Sequence, residues 1–301
     1  MTYDTRNDII DGALETIGVK MADESSEAAD VLTAKNWLNR MVKRLQSTGA
    51  HLWTRNSATL FLSAGVNEYL IGTTADATES YVETTTTAAL AAAATTIPVT
   101  SATGMTVGDL LGVRLDDGTI NFSIITTITV LDIEITDGLV SAAASGNVVY
   151  NYTTRLGKAL RIPDARRKND SQEIEMLHLG RSDYLELPNK DNQGTPVQYY
   201  YDPKQDNGKM FLWPTPISGE TLVTFSYYKP LDVFTTSSDV AEFPDEWIEA
   251  LVLNLAIRLA PIFGRPIPPG LQQMASQAAQ DALDWDQEDA SIYLTPSKTR
   301  G

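Results

Sequence analysis

The sequence predicts an α+β protein: a helical core domain with an aromatic β-hairpin and an inserted small all-β domain of sandwich or barrel type. Three observations lead to this fold class. Apolar residues recur at helical spacing near both ends of the chain. A Tyr- and Trp-rich pair of β-type runs spans residues 198–214, and between residues 76 and 153 lysine is absent while Thr, Ala, Val, Ile and Gly dominate. We therefore predict a core of 1–75 and 154–285, an inserted domain of 76–153, and a C-terminal arm of 286–301.

The N-terminal segment predicts a helical hairpin. A capping signature at Thr5–Asp8 begins a first helix over 5–19, with Ile9, Ile10, Ala13, Leu14 and Ile17 as its apolar stripe. A second helix is expected over 26–47, with acidic residues near its start and basic residues near its end, as the helix dipole favours. Its predicted buried face is Ala28, Val31, Leu32, Leu38, Met41, Val42 and Leu45.

Short β-type runs follow. Strands are expected over 59–62 and 68–71 around Ser63-Ala64-Gly65, and within the inserted domain over 96–100, 110–115, 119–128 and 133–136. The turn sequences Asp116-Asp117-Gly118 and Asp137-Gly138 separate these runs. Residues 84–96 form either a loose linker or a short helix.

The remainder of the core alternates strands and helices. Residues 161–164 are expected to be extended, 177–186 to form a short helix, and an aromatic hairpin to turn at 205–208. A strand over 221–228 buries either Leu222, Thr224 and Ser226 or the alternate set Val223, Phe225 and Tyr227. Pro244 then begins a helix with the apolar stripe Trp247, Ile248, Leu251, Val252, Leu255 and Leu259. A last helix over 271–285 carries Met274, Ala278, Ala282 and Trp285.

Composition excludes several classes of chemistry. The 301 residues contain no cysteine, which rules out disulfides, thiol nucleophiles and cysteine-ligated metals. No apolar run approaches the ~20 residues of a membrane helix, and the N-terminal residues do not resemble a secretory signal. A net charge of −16 opposes sequence-specific DNA binding, because such a surface repels phosphates. The charge serves solubility, or it lines a ring through which DNA slides without sticking.

Catalytic motifs are missing from the sequence. The two histidines, His51 and His178, lie in apolar contexts and are expected to have structural roles. No Gly-x-Ser-x-Gly elbow, Walker A motif or Gly-rich dinucleotide fingerprint occurs. Asp116-Asp117-Gly118 lacks the ligand spacing of a calcium loop, and Asp286, Glu288 and Asp289 are typical of a solvated helix end. We therefore predict no catalytic residue, no cofactor and no metal.

Two segments are candidate contact sites. One group of neighbouring basic residues stands out in this acidic chain: Arg161, Arg166, Arg167 and Lys168. Either these residues contact DNA phosphate or an acidic partner, or they belong to a charged loop that compensates nearby acids. Ile292, Tyr293 and Leu294 lie on the polar arm that follows Trp285. Such an arm docks on a partner or is simply disordered, and we favour docking.

The order of these features resembles the head-to-tail adaptor, or tail accessory factor, family of short-tailed double-stranded DNA bacteriophages. The resemblance covers about residues 5–75 and 155–285 and rests on the joint presence and order of eight segments. These are Asp8–Val19, Ala34–Met41, Leu60–Leu62, Tyr69–Gly72, Tyr199–Pro203, Phe211–Pro216, Phe243–Leu251 and Asn254–Pro261. The β-rich insertion departs from the shorter members of the family.

The resemblance implies a non-enzymatic virion protein, assembled in the host cytoplasm and located in the tail or collar. It implies a homo-oligomeric ring, twelve copies, that binds below the portal protein, extends the DNA channel and seats a downstream tail or nozzle protein. The arm with Trp285, Ile292, Tyr293 and Leu294 would face the portal, and the inserted domain would contact tail fibres or a neighbouring subunit. Two other functions stay open: a virion-associated cell-wall hydrolase, and a receptor- or glycan-binding module centred on the inserted domain.

Overall fold

The computed structural model of the chain describes residues 5–21, 24–48, 52–72, 76–169, 172–240 and 242–286. Its contacts divide the chain into a helical unit, residues 1–54 with 231–301, and a β unit, residues 55–230. The α-helices are α1 (Arg6–Thr16), α2 (Ala28–Thr48), α3 (Arg181–Glu186), α4 (Ile248–Leu259) and α5 (Leu271–Trp285). Of these, α3 belongs to the β unit and the others to the helical unit.

The strands of the β unit are numbered in chain order. They are β1 (Arg55–Phe61), β2 (Glu68–Ile71), β3 (Ala77–Thr78), β4 (Val82–Thr85), β5 (Thr96–Pro98), β6 (Leu110–Arg114), β7 (Ile120–Thr129), β8 (Asp132–Ile135), β9 (Val148–Tyr152), β10 (Arg161–Asn169), β11 (Gln172–Glu175), β12 (Leu177–His178), β13 (Gln198–Asp202), β14 (Gly208–Trp213) and β15 (Leu222–Tyr228).

Helix α1 begins where its capping signature predicts. The Thr5 hydroxyl accepts a hydrogen bond from the Asp8 amide, and the Asp8 carboxylate accepts one from the Thr5 amide, so two otherwise unsatisfied groups are paired. The five residues of the predicted stripe are all buried. The helix ends at Thr16, earlier than expected, and Gly18 then adopts a left-handed φ of 67°.

Helix α2 confirms the predicted segment but corrects its buried face. Leu38, Met41 and Val42 are buried as expected, and Ala34 joins them. Ala28 and Leu32 are exposed, and Leu32 is 59% accessible. The prediction failed because it ignored the helical period: at about 3.6 residues per turn, Leu32 lies on a different side of α2 from Leu38.

Helices α4 and α5 complete the helical core. Pro244 is followed by one 3₁₀ turn, Asp245–Trp247, and the predicted stripe of α4 is buried throughout. Helix α5 has the predicted bounds, but Leu271, Ala275 and Ala282 face the core, whereas Met274 and Trp285 are exposed. Small alanines allow α5 to approach α4 closely, and the Asn254 side chain bonds the Ala275 carbonyl oxygen at 3.2 Å.

A sandwich of two sheets is built from the strands at the two ends of the β unit, β1–β3 and β10–β15. The five-stranded sheet has the order β11-β10-β15-β1-β3, and the four-stranded sheet has the order β12-β13-β14-β2. Both contribute to one core, which includes Leu60, Tyr69, Tyr199, Leu212 and Phe225. The consecutive strands β1 and β2 therefore belong to different sheets, and they pair with β15 and β14 rather than with each other.

The strands of the sandwich show where the sequence predictions succeed and fail. The aromatic hairpin forms as β13 and β14, and β15 buries Val223, Phe225 and Tyr227, the second of the two alternatives. Only part of 177–186 is helical, because residues 177–178 form β12 and the helix α3 begins at Arg181.

The residues between β3 and β10 form a six-stranded antiparallel sheet with the order β4-β9-β6-β7-β8-β5. Its two edges meet, since the Thr87 amide donates to the Pro98 carbonyl oxygen and the Thr100 amide donates to the Thr85 carbonyl oxygen, each at 2.9 Å. The sheet thus curls into a small barrel filled by side chains that include Ile97, Leu111, Val113 and Ile133. Residues 84–96 are neither linker nor helix: they contain the end of β4 and further bridges of this sheet.

Entry to and exit from the barrel are tied together. The Thr78 hydroxyl donates to the Thr154 carbonyl oxygen at 2.8 Å, and the Leu156 amide donates to the Ala77 carbonyl oxygen at 2.8 Å. The barrel is thus inserted at one point of the β unit. The division of the chain at residue 54 is coarser than the predicted boundaries, and separate folding of residues 76–153 stays a prediction.

An aromatic cluster joins the barrel to the five-stranded sheet. Phe61 and Leu222 lie opposite each other on the face of that sheet that is turned away from the sandwich core. The Phe61 ring stacks on Tyr152 at 5.5 Å and lies 4.7 Å from Tyr150. Gly112 leaves space for the Phe122 ring, since a Cβ atom at this position would lie 2.3 Å from Phe122 Cε1.

The change Phe61→Ala should therefore lower the free energy of unfolding by ~3–5 kcal/mol, because it opens a cavity among four aromatic rings. Urea unfolding followed by far-UV circular dichroism measures this loss. The control Val66→Ala removes a partly exposed side chain and should cost under ~0.5 kcal/mol. Equal stability of the two variants would show that the cluster does not hold the barrel to the sheet.

Candidate partner-contact surfaces

The predicted group of basic residues lies on a strand and not in a loop. Arg161, Arg166, Arg167 and Lys168 all belong to β10. Arg161 is opposite Tyr228, separated from the other three by a register irregularity and by about 16 Å at the rise of a strand. The structure therefore brings together Arg166, Arg167 and Lys168 and leaves Arg161 apart.

Acidic residues face two of the three grouped cations. In the β10–β11 pair, Arg166 lies opposite Glu175 and Lys168 lies opposite Glu173. Opposite charges at such positions stabilise a sheet modestly. Arg167 alternates to the other face, where its guanidinium donates to the Pro196 carbonyl oxygen at 3.5 Å. This arrangement supports charge compensation, and contact with DNA or an acidic partner stays a prediction.

The aromatic hairpin is a packed element whose tyrosines anchor the sandwich. Tyr199 and Tyr201 point into the core, and their hydroxyls donate to the carbonyl oxygens of Ile162 and Ala159 at 3.5 and 2.7 Å. On the other face, Tyr200 and Phe211 pack with Tyr184 of α3. Because these rings are enclosed by their own unit, they supply rigidity and little free contact area.

The C-terminal candidates are described only in part. Trp285 ends α5 and is 60% exposed, a large apolar side chain left open to solvent. Ile292, Tyr293 and Leu294 lie outside the described residues. Their docking role stays a prediction.

The two aspartates of the turn at residues 116–118, and His178, have structural contacts. Asp117 accepts hydrogen bonds from the Thr119 hydroxyl and amide, which hold the pKa of its carboxyl below the usual value. Asp116 accepts bonds from Asn147 and the Ala144 amide. His178 lies 5.0 Å from the Tyr199 ring, and His51 lies outside the described residues. Within the described ranges no group of acids and histidines is placed to hold a metal ion.

One surface was missed at the sequence level. Arg44 of α2 and Arg258 of α4 line a cleft of about 240 Å³ in the helical unit together with apolar side chains. Burial lowers the pKa of the Arg258 guanidinium, and the nearby charge of Arg44 lowers it further. The available signal was Arg258 itself, the one basic residue of α4, which is the most apolar of the described helices.

Comparison with known proteins defines the class of this α+β chain. The sequence model of the SU10 adaptor protein family matches residues 4–299. The chain therefore belongs to the SU10 adaptor protein family, as the resemblance predicted. It is a phage structural adaptor of the virion, of a family that interacts with portal and tail components.

Other comparisons add little. No curated protein matches the sequence. The Gp54 tailspike of Acinetobacter baumannii bacteriophage AP22, in complex with A. baumannii capsular saccharide, shares 13% identity over 26% of this chain, with a TM-score of 0.24, and the chain spans 16% of its length. VP17, a capsid protein of bacteriophage P23-77, shares 12% identity over 62% of this chain and 77% of its own, with a TM-score of 0.13. Neither likeness carries an argument at such scores. None of the described helices has the length and apolar character needed to cross a membrane.

Tyr201 should couple the stability of the sandwich to alkaline pH. Burial, with a smaller effect of the Asp202 charge, raises the pKa of Tyr201 from 10.0 to about 12. Since the folded state favours the neutral phenol, its contribution is complete below pH about 10 and is lost as the pH rises through about 12.

The change Tyr201→Phe should cost ~1–3 kcal/mol at neutral pH, because it leaves the Ala159 carbonyl oxygen without its donor. It should also make the fall in stability between pH about 10 and about 12 less steep, by the share that Tyr201 contributes beside the other buried tyrosines. Urea unfolding across this range measures both effects. An unchanged slope in the variant would show that Tyr201 does not titrate with unfolding.

Proposed function

We propose that the chain is a subunit of a head-to-tail adaptor ring that attaches below the portal, extends the DNA channel and seats the next tail component. The family match over residues 4–299 is the observation that carries this proposal.

The ring contains twelve copies and encloses the DNA that leaves the capsid. The net charge of −16 supports passage without sequence-specific binding, because an acidic wall repels the phosphates at short range. Subunits are made in the host cytoplasm and join the collar of the virion, where a nozzle protein binds on the far side from the portal.

The C-terminal arm, residues 286–301, docks on the portal. Trp285 supports this assignment because an exposed tryptophan at the end of a helix is a favourable anchor for a partner surface. The apolar residues Ile292, Tyr293 and Leu294 follow it on the polar arm and add a second anchor.

The barrel contacts tail fibres or a neighbouring subunit through the loop between β7 and β8. This two-residue loop consists of Val130 and Leu131, which are 84% and 43% exposed. Val130 has a φ of 56°, a conformation that is costly for a β-branched residue. An exposed apolar residue held in a strained turn supports a contact role for the tip.

Removal of residues 286–301 should abolish ring assembly on the portal, because the anchor formed by Ile292, Tyr293 and Leu294 is lost. The test is electron microscopy of the truncated chain mixed with portal protein, with the full chain as reference. A control that lacks only residues 298–301 should assemble normally. Symmetric rings of the 1–285 chain would contradict the docking role of the arm.

The change Val130→Gly should stabilise the chain by ~1 kcal/mol by relieving the strained turn, and it should weaken recruitment of tail fibre protein to assembled rings. Thermal unfolding and pull-down with the fibre protein measure the two effects. The control Val107→Gly removes another exposed valine of the barrel, and no gain in stability is expected from it. Undiminished recruitment by Val130→Gly would exclude the tip as the contact.

A further inference from the structure

The sandwich has an open edge at β11. This strand is the outermost of the five-stranded sheet, paired with β10 on one side and with no described strand on the other. All residues of the strand, Gln172–Glu175, are exposed. The edge ends where Met176 enters the sandwich core and the chain continues into β12 of the other sheet. An exposed strand edge is a template on which a further strand can pair.

The backbone groups of Glu173 and Glu175 are directed outward from this edge. The Met176 amide donates to the Ala165 carbonyl oxygen of β10 at 2.9 Å. Residues of an antiparallel strand turn their amide and carbonyl groups alternately to either side, so the groups of Ile174 also face β10. Those of Glu173 and Glu175 face away from it. Within the described part of the chain, neither glutamate bonds a backbone group outside the β10–β11 pair, so these groups are available to a partner strand.

A cleft adjoins the edge on the side of the sheet that faces the sandwich core. Ile174 turns to this side, since it lies in phase with the buried Met176. The cleft has a volume of about 280 Å³, and its lining includes Ile174, Pro196, Pro216 and Ile217 among polar side chains. Ile217 is 58% exposed and Ile174 is 44% exposed. A side chain of an added strand that lies opposite Ile174 would point to the same side and contact this apolar part of the cleft.

The two glutamates determine which charge the added strand carries. Residues directly opposite each other in two strands have their side chains on one face, about 5 Å apart, and like charges there are destabilising. A second copy of β11 paired antiparallel about Ile174 would place Glu173 opposite Glu175, so the carboxylates of both copies would meet. On the inner side, β10 already places Arg166 and Lys168 opposite the glutamates. A cation on the outer side continues this alternation of charge across the sheet.

We propose that β11 is a docking edge for an extended segment of another protein that carries cations at alternate positions around an apolar residue. The cations lie opposite Glu173 and Glu175, and the apolar side chain contacts the cleft beside Ile174. The segment pairs antiparallel to β11, as the described strand pairs of this sheet do, and extends the sheet by one strand. The edge belongs to the isolated chain, so its assignment does not depend on the adaptor ring.

The test uses a short, capped, fluorescein-labelled peptide of alternating lysine and valine. Two N-methylated versions of it separate backbone pairing from charge, because they carry the same side chains. Methyl groups on the lysine amides remove the donors that face Glu173 and Glu175, and they should weaken binding at least about tenfold. Methyl groups on the valine amides, which face away from β11, should leave binding within about twofold of the unmethylated peptide. Fluorescence anisotropy titrations with the full-length chain measure all three affinities.

Variants of the edge test the same contacts from the side of the protein. Glu175→Pro removes an outward amide and leaves the bonds of its neighbours to β10 in place, so it should weaken binding of the unmethylated peptide at least about tenfold. Glu175→Gln removes only the charge and should weaken binding about threefold, with a smaller dependence on salt. The control Glu186→Gln makes the same change in charge at an exposed residue of α3 and should leave binding unchanged. Far-UV circular dichroism checks that each variant is folded.

Three outcomes would overturn the proposal. One is equal binding of the two methylated peptides, or weaker binding of the peptide methylated on valine, which would leave only a general attraction of a cationic peptide to an acidic chain. A second is unchanged binding by the folded Glu175→Pro variant. The third is a concentration-dependent dimer of the unchanged chain that Glu175→Pro abolishes, which would assign the edge to a second copy.

Discussion

Burial of the five-stranded sheet on both faces is the constraint on which the β unit depends. Alternate residues of β1 serve different partners: Leu60 packs into the sandwich core, and Phe61 packs under the barrel. The paired strand β15 follows the same rule with Val223 and Leu222. A shift of one residue between these strands would exchange the two sets and disrupt both cores at once. The register of this single pair thus fixes the sandwich and the position of the barrel.

The basic residues of β10 and those of the cleft in the helical unit have different charged surroundings. Arg166 and Lys168 of β10 face acids across a strand pair, whereas Arg44 and Arg258 line an open cleft. Arg44 and Arg258 differ from the other basic residues because helix packing brings these two like charges together in one apolar cleft.

Short sequence patterns predicted the helices and the aromatic hairpin. They did not predict which strands distant in sequence pair with each other. The capping box at Thr5 and the proline before the 3₁₀ turn are properties of a few adjacent residues, and they placed α1 and α4 correctly. The pairing of β1 with β15 joins residues more than 150 positions apart, and barrel closure through Thr87 and Pro98 depends on the whole curled sheet. The basic residues of β10 were found because like charges are adjacent in sequence, but Arg44 and Arg258 meet only through helix packing.

The single attachment point of the barrel has an evolutionary consequence. Because Thr78 and Thr154 are bonded to each other, the chain leaves and re-enters the sandwich at nearly the same place. A relative could replace everything between these residues with a short turn and keep β1, β3 and β10 where they are. Such an insertion lets the surface of the barrel change between relatives while the two sheets that carry it keep their packing.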